Sequence, residues 1–229
     1  MYPLILAVAI LPVLLVCWLI FRLDKYEQEP RIPLVITFFI GVLITFPALF
    51  IEVKASETAW NDPTNLWLTI SFSFIAVAFV EEIFKLIGLL SFPFHRPFFN
   101  EPMDGIVYSV MIGMGFATFE NIMYANKFGL ETTIVRALTA VPAHGVFAIF
   151  MGYFVGQAKF RPQQRIQLLL KGFGITVLVH GTYDFFILQE LFDWLIIFAL
   201  LILAASIFMA RRMILHHQEV SPFREEQVP

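Results

Sequence analysis

The 229-residue chain holds one cysteine, Cys17, inside its first apolar tract. A single thiol excludes an intrachain disulfide and equally excludes a thiolate metal cluster. Charge is scarce: 14% of residues are Asp, Glu, Lys or Arg, against roughly a quarter in soluble globular proteins. The net charge of −3 contains no long run of one sign, so neither nucleic acid nor a polyanionic surface is indicated as partner. Internal repeats and low-complexity stretches are absent, which weakens any reading that needs the inverted repeats of many secondary transporters. The first tract lacks a basic leader and a small-residue cleavage pattern, and reads as a retained span, not a removed signal.

What the chain has in abundance is apolar length. Hydrophobic residues make up 59% of it, and its mean hydropathy is +0.79. Apolar windows of about 20 residues, the length that crosses a bilayer as helix, fall near 3–21, 33–52, 66–90, 104–125, 137–156, 170–188 and 191–210. In lipid every backbone group must be satisfied internally, and these tracts lack the alternation of barrel strands. The expectation is an all-α, polytopic transmembrane bundle of about seven spans, with one membrane domain over 1–215 and a polar cytoplasmic tail over 216–229. Lys and Arg concentrate after odd-numbered spans, at Arg22, Lys25, Arg31, Arg96, Lys159, Arg161, Arg165, Arg211 and Arg212. The even-numbered connections hold only Lys54, Lys127 and Arg136. That asymmetry predicts an external amino terminus and a cytoplasmic carboxyl terminus. The proline-bearing stretch from Ser91 to Met103 and the tail from His216 onward read as connectors that do not continue a helix.

Several ionisable side chains lie inside these spans, where an unpaired charge costs about 3 kcal/mol on insertion scales and is functional by default. The third span carries Glu81, Glu82 and Lys85. Helical spacing lets Lys85 neutralise one glutamate and leave the other free for chemistry; the bland reading is an ion pair that fixes helix packing. Glu120 and Asn121 sit in the fourth span, with no basic residue at helical spacing from Glu120. It must find a partner elsewhere or snorkel to the outer interface. His180 and Asp184 form an i, i+4 pair in the sixth span, the spacing at which a carboxylate orients an imidazole or both hold one ion. A satisfied polar pair would look the same. His144, near the start of the fifth span, is by itself a packing histidine. Gly113, Gly115, Gly152 and Gly156 read as sites of close helix approach, and Asp104-Gly105 as a helix cap and turn.

Glutamates and histidines without thiolate suit Zn²⁺, or a glutamate base that activates water beside oxyanion donors. The same residues inside spans could instead relay protons in a proton- or ion-coupled transporter, or serve a scaffold whose polar core specifies packing. In their order along the chain, Glu81-Glu82-x-x-Lys85, Phe116-x-x-x-Glu120-Asn121, Ala143-His144-Gly145 and His180-x-x-x-Asp184 resemble the PrsW family of bacterial intramembrane proteases. The likeness extends to Asp24-Lys25-Tyr26-x-x-Glu29-Pro30 and to Asp104-Gly105-Ile106-Val107-Tyr108. A more distant likeness links the chain to CAAX prenyl endopeptidases, whose motifs pair EExxxR with FxxxH and HxxxN or HxxxD. Here Lys85 stands one residue closer than their arginine and Glu120 replaces their histidine, which disfavours prenyl-protein processing.

The resemblance implies an endopeptidase of the bacterial cell membrane. Such a protein makes the first, extracytoplasmic cut in a single-span anti-sigma factor and so starts release of a stress-response sigma factor. It implies membrane lipid and that substrate as partners, no nucleic acid, and Zn²⁺ as the candidate ion. Glu81, Glu82, Lys85, Glu120, Asn121, His144, His180 and Asp184 become the candidate catalytic set. Glu82, Glu120, His144, His180 and Asp184 are the candidate metal ligands.

Overall fold

The computed structural model describes residues 3–224 and contains seven long helices with no strand among those residues. Helix α1 is Pro3–Leu23 and α2 is Arg31–Ser56; α3 covers 66–91, α4 is Pro102–Leu138, α5 is Ala140–Phe160, α6 is Arg165–Leu188 and α7 is Ile196–Glu219. Five of these segments are long and apolar enough to cross a membrane: Pro3–Leu23, Arg31–Ser56, Pro102–Leu138, Ala140–Phe160 and Asp193–Glu219. Large apolar side chains such as Leu11, Trp18, Phe39, Leu43 and Leu201 are exposed on α1, α2 and α7. That outward apolar surface matches lipid rather than water.

Helix α4 is the axis of the bundle. An unbroken run from Met103 to Ala117 is buried on every side, as a helix hydrophobic all round must be. Its closest neighbour is α5. A Cβ on Gly105 would collide with the backbone of Gly152 and Gly156, and one on Gly152 would strike Gly105 and Ile106. Backbones approach this closely only where side chains are missing. Asp104 is not the helix cap that its position suggested. Glu101 is the N-cap, and Asp104, three residues on, completes a reciprocal capping box with it.

Two departures from regular helix shape the interior. In α3 the chain is α-helical over Leu66–Ser71, π-helical over Phe72–Phe79 and α-helical again over Val80–Ser91. The wider turns end immediately before Glu81, in keeping with the tendency of π segments to lie at functional sites. In α4 the helix breaks at Gly129, whose φ of 80° is in the left-handed region that glycine adopts without a Cβ clash. The short arm beyond it turns back toward the bundle.

At the carboxyl end, α7 continues through Glu219, four residues into the segment expected to be a polar connector, and His217 is fully buried. The last five residues of that tail, 225–229, lie outside the described residues. Near the start of α4 the connection between α1 and α2 folds inward and buries Asp24 and Glu29. Burial, reinforced by the charges of Asp104, Glu101 and Glu27, pushes the Asp24 carboxyl up to about 8. Burial with the charges of Glu27 and Asp24 pushes Glu29 up to about 7.

Candidate active site

Side chains from α3, α4, α5 and α6 meet in one buried polar cluster. Glu81 and Glu82 open the second α-helical stretch of α3, and Lys85 follows one turn later. The Lys85 ammonium donates to Glu81 Oε2 at 2.8 Å and to Glu82 Oε1 at 2.8 Å. Its third proton is directed at His144 Nδ1, 3.3 Å away on α5. Three donors thus meet three acceptors, and the ammonium also lies 4.4 Å from the centre of the Phe116 ring. Neither glutamate is left free of the lysine, contrary to the division expected from spacing. Burial is the reason: at 0% exposure Glu82 has no water to share its charge with, so the one nearby cation serves both carboxylates.

An ammonium can only donate, so His144 Nδ1 accepts and its Nε2 carries the hydrogen. That Nε2–H donates to Glu120 Oε2 at 2.8 Å. Glu120 is buried, not snorkelling, and its second partner is Arg136, whose Nη2 lies 2.8 Å from the same oxygen. The contact is a buried ion pair that holds the guanidinium against the carboxylate. Arg136 Nε donates to Asn121 Oδ1 at 2.9 Å. Asn121 Nδ2 is thereby fixed in direction, and it is buried with no partner.

On α6, His180 sits between two carboxylates, with Nδ1 2.9 Å from Glu82 Oε1 and Nε2 3.1 Å from Asp184 Oδ2. The Phe147 ring stacks on the imidazole at 4.5 Å. Every ring nitrogen of His144 and His180 is therefore engaged, so neither histidine has a proton to offer an oxyanion, a role that the sequence left open to them. The groups without partners are Glu82 Oε2 on the acceptor side and Asn121 Nδ2 on the donor side.

The metal-ligating atoms divide differently from the expected set. Glu81, Glu82 and His180 each present one ligand atom within 4.8 Å of the others. Glu120 and His144 are instead bound to each other, and Asp184 reaches His180 from its far nitrogen. Two carboxylates and one imidazole are a donor set that suits a catalytic metal of the zinc type, and one of the three, Glu82, has a buried oxygen, Oε2, without a partner.

Two residues of the cluster escaped the sequence reading. Arg136 was counted as a loop charge, yet it faces Glu120 because the chain reverses at Gly129; a glycine in the connection between the fourth and fifth apolar tracts is the signal that could have drawn attention to it. Glu52, near the end of α2, has a buried oxygen without a partner and feels the charges of Glu81, Glu120, Lys85 and Asp184. Its position near a span end gave no hint of that company.

Buried carboxylates, histidines and an unpartnered amide donor gathered inside a bundle of membrane-crossing helices are the equipment of an intramembrane hydrolase. Comparison with known proteins makes the class specific. Residues 29–210 match the family described as PrsW family intramembrane metalloprotease. The chain is 38% identical to Protease PrsW of Geobacillus kaustophilus over 168 residues, 73% of this chain and 72% of that protein. It is 35% identical to Protease PrsW of Bacillus subtilis over 174 residues, 75% and 77% of the two chains. It is 34% identical to Protease PrsW of Clostridioides difficile over 195 residues, 82% and 81%. No solved structure matches the chain. The chain belongs to the PrsW family of intramembrane metalloproteases.

Proposed function

We propose that this protease makes the first, extracytoplasmic-side cut in a single-span membrane anti-sigma factor and so begins the release of a stress-response sigma factor. The protein crosses the bacterial plasma membrane several times, with its amino terminus outside and its carboxyl terminus in the cytoplasm. One observation carries the hydrolytic part of the reading: a buried, unpartnered acceptor, Glu82 Oε2, and a buried, unpartnered donor, Asn121 Nδ2, belong to the same side-chain network.

In the proposed reaction Glu82 Oε2 takes a proton from water as the water oxygen attacks the scissile carbonyl carbon. Asn121 Nδ2, aimed by Arg136, donates to the oxygen that becomes negative. When the carbon–nitrogen bond breaks, Glu82 returns the proton to the departing amine, leaving a carboxylate on one fragment and an amine on the other. Lys85 keeps Glu81 and Glu82 in place. Asp184 orients His180, and Glu120 orients His144. Glu81, Glu82 and His180 would hold Zn²⁺, which when bound acidifies water and polarises a carbonyl.

The test is co-expression with a candidate anti-sigma factor tagged at both ends. Glu82→Gln and Asn121→Ala, present in the membrane at wild-type level, should leave the substrate intact, whereas the wild type accumulates a shortened membrane fragment. Cutting retained by both variants would remove the assigned roles. Cutting of unrelated single-span proteins with the anti-sigma factor spared would remove the substrate.

A further inference from the structure

We propose that the protein holds a second, hard divalent cation of the Mg²⁺ or Ca²⁺ type in a pocket of carboxylates between the α1–α2 connection and the start of α4, separate from the hydrolytic centre. Asp24, Glu27 and Glu29 come from the connection; Glu101 and Asp104 come from the capping box of α4. One oxygen each of Asp24, Glu101 and Asp104 lies within 4.8 Å of the other two, and the same holds for Glu27, Glu29 and Asp104. Asp104 is common to both groups and marks the centre of the site. It lies 16 residues before Glu120, about 24 Å along the α4 axis at the usual rise of 1.5 Å per residue. The proposal therefore stands whether or not the protease mechanism is correct.

An acidic cluster alone would not carry this inference. The second observation is how each carboxylate uses its oxygens. Asp24 Oδ2 accepts from the Glu29 backbone N–H at 3.1 Å. Asp104 Oδ2 accepts from the backbone N–H groups of Asn100 and Glu101 at 2.6 and 2.8 Å. Glu29 Oε2 accepts from the Tyr108 hydroxyl. The partner oxygen of each is bare: Asp24 Oδ1, Glu27 Oε2, Glu29 Oε1, Glu101 Oε2 and Asp104 Oδ1 are all buried without a hydrogen bond. The side chains of Asp24, Glu29, Glu101 and Asp104 are 0–2% exposed.

No Lys, Arg or His among the described residues forms an ion pair with any of the five. The acids of the hydrolytic centre, Glu81, Glu82 and Glu120, each have a cationic partner. Burying a charge without one is costly, and five bare oxygens, on carboxylates of which Asp24, Glu29, Glu101 and Asp104 are anchored from behind by backbone or tyrosine, leave a positive ion as the missing partner. An all-oxygen donor set without nitrogen or sulfur selects hard cations over zinc. Bound there, the ion ties the α1–α2 connection to the amino end of the helix that carries Glu120 and Asn121.

The test uses the purified full chain in detergent, with Mg²⁺ and Ca²⁺ titrated calorimetrically and Tb³⁺ as a luminescent probe excited through Tyr108. Binding of a hard cation, a raised unfolding midpoint in its presence and Tb³⁺ emission that Ca²⁺ or Mg²⁺ competes away are expected. Binding should persist in Glu81→Gln/Glu82→Gln and fall at least tenfold in Asp24→Asn/Asp104→Asn. If that double variant does not fold, Glu27→Gln/Glu29→Gln should show the same loss. No cation binding at millimolar concentration, or binding that survives the folded loop variants and vanishes with the Glu81/Glu82 pair, overturns the proposal.

Discussion

The Arg136 Nε–H donates to Asn121 Oδ1 at 2.9 Å across the break at Gly129, so a residue from the returning arm of α4 aims an amide on its main shaft. The guanidinium also meets Glu120 and lies 3.9 Å from the centre of the Tyr124 ring. A planar fork can satisfy all three neighbours together, and an ammonium cannot. Arg136→Lys should therefore lower kcat by about 10- to 100-fold, a fraction of what loss of an oxyanion donor costs. KM should change little. Single-turnover cleavage of a juxtamembrane peptide would measure both, and wild-type kcat in the lysine variant would show that the guanidinium does not position Asn121.

Gly129→Ala isolates the backbone contribution. A Cβ there meets no atom within 4 Å, so crowding is not the difficulty; the left-handed φ of 80° is, at about 1–2 kcal/mol for a residue with a side chain. The variant should unfold a few degrees lower and lose activity out of proportion to that shift, because relief of the strain moves Arg136. Thermal unfolding alongside cleavage rate checks this. An unchanged rate would mean that the arm finds its place without the glycine.

Lys85→Met should be among the most damaging substitutions. It leaves Glu81 and Glu82 buried without their shared cation, and removing one partner from a buried ion pair costs about 3–5 kcal/mol. Adding Glu81→Gln to Lys85→Met should recover part of the loss, since one of the stranded charges is then gone. A double-mutant cycle on unfolding midpoints gives the coupling, and simple additivity would contradict the geometry.

Removal of metal should separate structure from chemistry. With Glu81, Glu82 and His180 as ligands, a chelator strong enough for zinc should stop cleavage and leave the helical content intact, because the bundle rests on apolar packing. Zn²⁺ returned in stoichiometric amount should restore the rate in the wild type and fail to do so in His180→Ala. Full activity after verified metal depletion would leave Glu82 acting without an ion.

The helical class could be read directly from the chain, because continuous apolar tracts of bilayer length have one backbone solution in lipid. Glu81, Glu82, Lys85, Glu120, His144, His180 and Asp184 were also visible, as charges and imidazoles where charge is expensive. Their pairing was not. Spacing within one helix suggested that Lys85 would serve a single glutamate, but its ammonium reaches both and a histidine of α5 as well. Glu120 had no partner within its own span, and only the reversal at Gly129 brings Arg136 to it. The extent of α7 was underestimated because His216 and His217 read as polar tail, although His217 packs against Tyr153 at 4.4 Å.

Composition and local spacing determined that this is a helical membrane protein with a polar interior, since apolar tracts of bilayer length and charges within them are legible from residue type alone. The order of its motifs was enough to suggest its family. Which oxygen is bare, which amide is aimed and which five carboxylates crowd together at the start of α4 were decided by tertiary structure alone. Those outcomes depend on contacts a few ångströms long between segments up to about a hundred residues apart, and neither helical periodicity nor residue type encodes such distances.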